Sequence, residues 1–263
     1  MKIGFATISI KSEAFRTQIF SLIDADIKIE FLLIVGFEKK EIKNSTIERI
    51  LRKFYSILIP SVKLIKVKEK GSKLRKNNIF SELTDLQNRK VDDLLSSILK
   101  VRSDYINSEK TIKIIKEMSP ELLICTSCGI IQEKLIRLEI PIINVHSSFL
   151  PKYKGMNCIE WALFNDDLIY CTYHRISKEI DGGDLLDQIN IDSKERCFPD
   201  ISVDELKKIY FFKAFLNFGN SLKKYINGKI DFQTQEENNL SQCYTMHPIF
   251  RDILQSRIDR SEL

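Results

Sequence analysis

Ile142-Ile143-Asn144-Val145-His146-Ser147-Ser148-Phe149-Leu150-Pro151-Lys152-Tyr153-Lys154-Gly155 is the stretch that decides the fold. Its apolar opening reads as a buried strand. The period-two alternation of a strand turns Asn144 and His146 to the same face, at the carboxyl end. In open α/β sheets ligands bind at that end. A second string, Ile180-Asp181-Gly182-Gly183-Asp184-Leu185-Leu186, adds a carboxylate on a turn in which Gly182 or Gly183 is expected to take positive φ.

Working outward, apolar strand-like runs alternate with stretches of helical period, the pattern of βαβ units on a mostly parallel sheet. Strands are expected at 2–8, 28–36, 62–68, 121–126 and 140–146, and amphipathic helices at 12–24 and 44–57. Asn107-Ser108-Glu109 opens a further helix, with Ser108 as N-cap and Pro120 as the stop. The expected class is therefore α/β, a Rossmann-like mostly parallel sheet with flanking helices. Residues 69–104 are polar and charged without clear strand content, and read as an insertion with a helix around 82–101. Beyond the central motif, a helix is expected at 157–165 and strands at 170–176 and 184–191. A long helix follows at 203–226, where Tyr210, Phe211, Phe212, Phe215 and Phe218 form a packing face. Asn227-Gly228 caps it, and a short mixed tail follows from 229. The domain reading is a catalytic domain over 1–200 and, over 201–263, the long helix with a small C-terminal extension.

With 263 residues and 43% hydrophobic content, the chain can bury one large core. The net charge of +5, from 41 basic and 36 acidic residues, does not call for nucleic acid. One basic stretch, Lys63 to Lys76, reads first as a solvated loop and second as an attractor for a phosphorylated ligand. No apolar run approaches the length of about 18 residues that a membrane helix needs, and the opening Met1 to Ile8 is followed by Lys11, Glu13 and Arg16. A cytoplasmic protein without a membrane partner is expected. The cysteines (Cys125, Cys128, Cys158, Cys171, Cys197, Cys243) are scattered, which suggests reduced thiols. Cys125 and Cys128 have a Cys-x-x-Cys spacing, but no second pair accompanies them, so no metal is expected.

An amide, an imidazole and a carboxylate form a minimal set for acyl transfer. The oxyanion of a tetrahedral intermediate needs prepositioned donors, which Asn144 and His146 can supply. An attacking amine must also lose a proton, so an imidazole oriented by a carboxylate, here Asp181, is the natural shuttle. Each residue alone also has a structural reading, as a satisfied buried polar group or a turn residue. His174 is open between supporting this site and hydrogen bonding in the core, while His247 reads as structural or surface. Ser148 is not flanked by a Gly-x-Ser-x-Gly elbow, which argues against a covalent serine mechanism.

The ordered set Asn144-x-His146-x-Ser148-x-Leu150-Pro151-x-Tyr153-x-Gly155, Trp161-Ala162-Leu163, Thr172-x-His174 and Asp181-x-Gly183-Asp184 resembles the folate-dependent formyltransferase family. The resemblance is close over about 107–192 and looser over 1–68 and 203–226. It implies 10-formyltetrahydrofolate as donor and Asn144, His146 and Asp181 as the catalytic set. It also implies that Cys128, Gly129, Ile130 and Ile131, with Ser177, Lys178, Glu179 and Ile180, line the pterin pocket, mostly through backbone groups. Ser148, Tyr153, Lys154 and Trp161 fall where acceptor contacts are implied. Members acting on glycinamide ribonucleotide carry a glycine-rich loop after the first strand, whereas this chain has Phe5-Ala6-Thr7-Ile8-Ser9-Ile10. Members acting on methionyl-tRNA append a β-barrel, and the short tail here is more similar to formyltransferases of nucleotide-linked amino sugars. The layout thus implies a nucleotide-linked amino-deoxy sugar as acceptor, with a homodimer compatible and nucleic acid disfavoured. The alternatives are a methionyl-tRNA formyltransferase-like enzyme, a 10-formyltetrahydrofolate hydrolase, and a non-catalytic folate- or sugar-binding protein.

Overall fold

A computed structural model of the chain describes residues 1–36, 82–192, 201–236, 242–260 and 262. The expected strand at 62–68, the expected helix at 44–57 and the basic Lys63–Lys76 run lie outside the described residues. The described strands are β1 (Ile3–Thr7), β2 (Phe31–Gly36), β3 (Leu99–Tyr105), β4 (Leu122–Thr126), β5 (Ile142–His146), β6 (Tyr170–Arg175) and β7 (Leu185–Asn190). They form one sheet in the order β3-β2-β1-β4-β5-β6-β7. The pairs from β3 through β5 are parallel, while β5–β6 and β6–β7 are antiparallel. The order reverses direction between β1 and β4, and the carboxyl ends on either side of that point bound a crevice, as expected for a doubly wound sheet.

The helices are α1 (Glu13–Asp24), α2 (Asp85–Ser97), α3 (Glu109–Met118), α4 (Glu133–Ile136), α5 (Cys158–Phe164), α6 (Val203–Leu216), α7 (Phe218–Ile226) and α8 (Pro248–Asp259). Their ends follow local chemistry. Ser108 caps α3 by accepting from the Thr111 amide, and Ser119 turns left-handed at its C-terminus just ahead of Pro120. Ser202 and Glu205 form a reciprocal capping box on α6.

Strand alternation divides the core in two. Phe5, Leu32, Ile124 and Ile143 face one helical layer with Phe15, Leu206 and Phe218. Ala6, Leu33, Leu123 and Ile142 face the other with Ile112 and Ile115. Both faces of β1, β2, β4 and β5 are thus covered, which is why those strands read as unbroken apolar runs.

Three expectations are corrected. The stretch 69–104 contains an edge strand, β3, in addition to its helix. Among the described strands β3 lies at the end of the sheet with half-exposed faces, so its Lys100, Arg102 and Asp104 are tolerated, and this hides the strand from a hydrophobicity reading. The helix expected at 203–226 is broken at Asn217, whose side chain donates to the Lys213 carbonyl and ends α6 before α7 begins. The mixed tail contains α8, with His247 as its N-cap and Pro248 in its first turn. His247 therefore has a structural role.

Candidate active site

β5 delivers Asn144 and His146 to the carboxyl edge of the sheet, and β6 runs beside it in antiparallel register with Asn144 opposite His174 and His146 opposite Thr172. Asp181 arrives on the loop between β6 and β7. Its carboxylate lies between the two imidazoles, with Oδ2 3.6 Å from His146 Nδ1 and Oδ1 3.6 Å from His174 Nε2. Asp181 Oδ2 also accepts from the Gly155 amide at 2.8 Å. The three residues picked from distant parts of the sequence, together with His174, therefore meet in one buried cluster.

The loop conformation differs from the expected turn. Neither Gly182 nor Gly183 has positive φ; Asp181 itself does, at 52°. Aspartate tolerates this region better than most residues, and Gly183 serves another purpose. A Cβ at Gly183 would sit 1.9 Å from the Arg175 carbonyl oxygen, so only glycine lets the loop close onto β6. Gln235 ties the loop from outside, donating to the carbonyls of Asp181 at 2.9 Å and Gly183 at 2.6 Å.

Hydrogen-bond partners settle where the protons are. His174 Nδ1 lies 3.0 Å from the Arg175 carbonyl, which can only accept, so Nδ1 carries the hydrogen. Burial, reinforced by the neighbouring His146 charge and opposed by Asp181, lowers the His174 imidazole to about 4, so it is neutral near pH 7. Its Nε2 is then an acceptor, and the atom of Asn144 facing it at 3.4 Å must be the amide nitrogen. One Asn144 N–H is thereby aimed at His174, and the other stays available. His146 Nε2 lies 2.7 Å from the Tyr153 carbonyl, so that nitrogen donates and the proton that can come and go is on Nδ1, toward Asp181.

A cavity of about 240 Å³ opens on the Asn144, His174 and Asp181 side. All eight residues expected around the pterin, Cys128, Gly129, Ile130 and Ile131 with Ser177, Lys178, Glu179 and Ile180, line it. Apart from Asn144 and His174, its lining comes from two segments, Cys125–Ile131 and Ile176–Asp181, which mix apolar and polar residues as a site for a flat heterocycle does. The Cys125 thiol in its wall is pushed well up by its hydrogen bond to Cys128 and by burial, so Cys125 is not poised as a thiolate.

The four residues expected around the acceptor each make contacts within the fold. Ser148 is buried under Thr172, whose hydroxyl donates to the Ser148 carbonyl at 2.7 Å. The Tyr153 hydroxyl turns away to Asp167 and Asn165, and it is the Tyr153 backbone that meets His146. Lys154 contributes its carbonyl to the Cys243 amide at 2.7 Å. The Trp161 indole donates to the Tyr244 carbonyl at 2.8 Å and packs against Phe164 and Phe250, anchoring the tail. None of these four lines the 240 Å³ cavity. Sequence reasoning left His174 open, although Thr172-x-His174 pairing against Asn144-x-His146 was its available signal. The contributions of the Gly155 amide and Gln235 had no signal.

Comparison with known proteins agrees with this geometry. The profile of the formyl transferase family matches residues 61–208, more than half of the chain, and the chain belongs to that family. A methionyl-tRNA formyltransferase of Borrelia duttonii (strain Ly) is 31% identical over 161 residues, covering 59% of this chain and 50% of that protein. One of Prochlorococcus marinus (strain MIT 9312) is 32% identical over 140 residues, covering 51% and 42%. The chain thus spans about half the length of the curated relatives it matches. Among solved structures, a sugar 3N-formyl transferase, WlaRD, superposes with a TM-score of 0.55 at 16% identity, covering 98% of this chain and 79% of that one. The phosphoribosylglycinamide formyltransferase of Anaplasma phagocytophilum gives 0.55 at 15%, covering 93% and 99%. At these identities the likeness is one of fold.

Proposed function

We propose that the protein transfers the formyl group of 10-formyltetrahydrofolate to the amino group of a nucleotide-linked amino-deoxy sugar. The observation that carries this reading is the Asp181 carboxylate held 3.6 Å from each of two imidazoles, beside a cavity lined by every residue expected around the pterin. The donor supplies an activated formyl carbon. Asn144, oriented by neutral His174, presents its free N–H to the negative charge that builds on the formyl oxygen. His146 accepts the proton that the attacking amine releases, at Nδ1, and Asp181 stabilises the resulting imidazolium. The new bond joins the amine nitrogen to the formyl carbon, the bond from that carbon to the donor nitrogen breaks, and the proton is returned to that leaving nitrogen. Water exclusion comes from the buried position of His146 and His174, which are 8% and 2% exposed.

Support for the sugar acceptor is Phe5-Ala6-Thr7-Ile8-Ser9-Ile10 standing where the glycinamide ribonucleotide enzymes carry a glycine-rich loop, together with a fold shared with a sugar 3N-formyl transferase. A second reading, formylation of methionyl-tRNA, is favoured by the curated relatives, which are methionyl-tRNA formyltransferases. One experiment separates them. The protein, the folate donor and either a panel of nucleotide-linked 3-amino and 4-amino sugars or charged initiator tRNA are incubated and read by mass spectrometry for a gain of one carbonyl unit. Formylation of a sugar nucleotide supports the first reading. Formylation of the tRNA alone replaces it, and formate release without any amine identifies a hydrolase.

A further inference from the structure

Beyond the folate-side cavity, a second cavity of about 150 Å³ adjoins His146 from the other direction. Two residues that line it, Glu160 and Ser147, each carry a buried side-chain oxygen with no partner among the described residues, Oε2 and Oγ. Glu160 is 1% exposed and Ser147 is 8% exposed. The glutamate is unevenly satisfied: its Oε1 accepts from Lys207 Nζ at 2.6 Å and also from Asn157 Nδ2, while Oε2 accepts nothing. A buried carboxylate oxygen left bare is costly, and a native fold that keeps one beside an open cavity is poised for a ligand donor. At about 150 Å³ it is smaller than the folate-side cavity of about 240 Å³, so a nucleotide-linked sugar would extend beyond it.

The remainder of a larger ligand has a way out. A third cavity, of about 300 Å³, is lined by Phe211, Phe212, Phe215 and Lys208, with Glu13 on its α1 side. Phe211 lines both this cavity and the His146 cavity, and Ser127 lines both this cavity and the folate-side one. Phe211 is 37% exposed and lies nearly parallel to Phe215, with ring centroids 6.4 Å apart and an interplanar angle of 26°. An exposed ring braced from below is a stacking platform for a planar heterocycle. The aromatic row on α6, read from the sequence as packing alone, thus has one member turned to open space.

We propose that Glu160 and Ser147 read the acceptor: Glu160 Oε2 takes a hydrogen bond from an N–H or O–H on the sugar ring, Ser147 Oγ makes a second, and the nucleobase stacks on Phe211. This rests on the amino-sugar reading above and goes on to name the residues that select the substrate. The 150 Å³ cavity is the one that adjoins His146, which places the amine-bearing ring there and the nucleotide toward Phe211.

The test measures equilibrium binding of nucleotide-linked amino sugars by calorimetry, without folate, alongside steady-state formylation. Ser147→Ala removes an unpaired hydroxyl, so the fold is expected to melt as the parent does. The acceptor KM should rise about tenfold, while the KM for the folate donor stays within twofold. Glu160→Gln should weaken acceptor binding by about tenfold to a hundredfold, the range for a hydrogen bond to a charged group. Phe211→Ala should weaken binding of UDP or dTDP alone by about tenfold. If the parent formylates a sugar nucleotide and both Ser147→Ala and Glu160→Gln keep its acceptor KM, the pocket assignment is overturned while the activity stands. If the parent binds but does not formylate these ligands, and the variants lose that binding, the pocket assignment holds and the activity falls. Binding of none of them by the parent overturns both.

Discussion

Asp181→Asn keeps the size and shape of the side chain and removes its charge, so it isolates what the carboxylate contributes. In the native site Oδ2 is 3.6 Å from His146 Nδ1. Two unit charges at that distance attract by about 5 kcal/mol at an effective dielectric of about 20 and by about 1 kcal/mol in water. Asp181 has a side-chain exposure of 14%, so an intermediate value of about 3 kcal/mol applies to a protonated His146. At about 1.4 kcal/mol per factor of ten, turnover should fall roughly a hundredfold. The asparagine oxygen can keep the Gly155 amide bond at 2.8 Å, which leaves the new amide nitrogen facing His174 Nε2, where it competes with Asn144 for a single lone pair. That competition adds to the loss. The assay is single-turnover formyl transfer with donor and acceptor both saturating, followed by mass spectrometry, with a melting curve as control. A variant that melts like the parent and turns over within threefold of it refutes the proton-shuttle assignment.

Three further outcomes are expected. The His174 imidazole is lowered to about 4 in the folded protein, so the unfolded chain takes up this proton first as pH falls. Its contribution is present above the ordinary value of about 6.5 and is lost as pH drops toward 4, amounting to about 2 kcal/mol between pH 7 and pH 4.5. Urea titrations at the two pH values should show that slope, and His174→Gln should flatten it; an equal slope in both proteins sinks the assignment. Gly155→Ala puts a side chain at φ 99° with its Cβ 2.4 Å from the Cys243 carbonyl oxygen. It should cost at least about 2 kcal/mol in urea unfolding, lowering turnover as well because the displaced amide no longer holds Asp181. Trp161→Ala removes the indole bond to the Tyr244 carbonyl and the contacts with Phe164 and Phe250. Hydrogen exchange should quicken in α8 while the β1–β4 amides keep their protection, and uniform exchange across both would contradict the anchoring role.

The sheet was legible because its central strands are buried on both faces and so are written as unbroken apolar runs, such as Leu122–Thr126 and Phe31–Gly36. β3 was not, because an edge strand needs apolar residues on only part of one face, and Leu99–Tyr105 carries charge at alternate positions. The break at Asn217 depends on a side chain bonding back to the Lys213 carbonyl within a run of otherwise helical residues, which no periodicity reveals. At the site, Asn144, His146 and Asp181 came from motif order, and the cavity wall over 128–131 and 177–180 came from the resemblance. What escaped was backbone and tertiary: the Gly155 amide and the Gln235 clamp act on a loop 26 and 54 positions away, and the Tyr153 carbonyl meets His146 through a turn of the chain that no side-chain pattern marks. Trp161 illustrates the converse, since a residue within a motif can hold the scaffold while its neighbour lines a cavity: Trp161 anchors the tail, and Glu160, one position before it, lines the cavity beside His146.

A charge count constrains how the site can operate. The cluster holds one carboxylate and two imidazoles within 3.6 Å of it, and a symmetric arrangement would leave either ring able to carry the balancing proton. The protein removes that ambiguity by surroundings. His174 is committed through Nδ1–H to the Arg175 carbonyl and is held neutral by burial, so it can only accept, and what it accepts is an Asn144 N–H. The exchangeable proton is therefore confined to the edge between His146 Nδ1 and Asp181 Oδ2. Two imidazoles on one carboxylate thus divide into a fixed one that orients the amide and a movable one that shuttles. That division requires His174 to stay uncharged over the working pH range, which its burial between β5 and β7 provides.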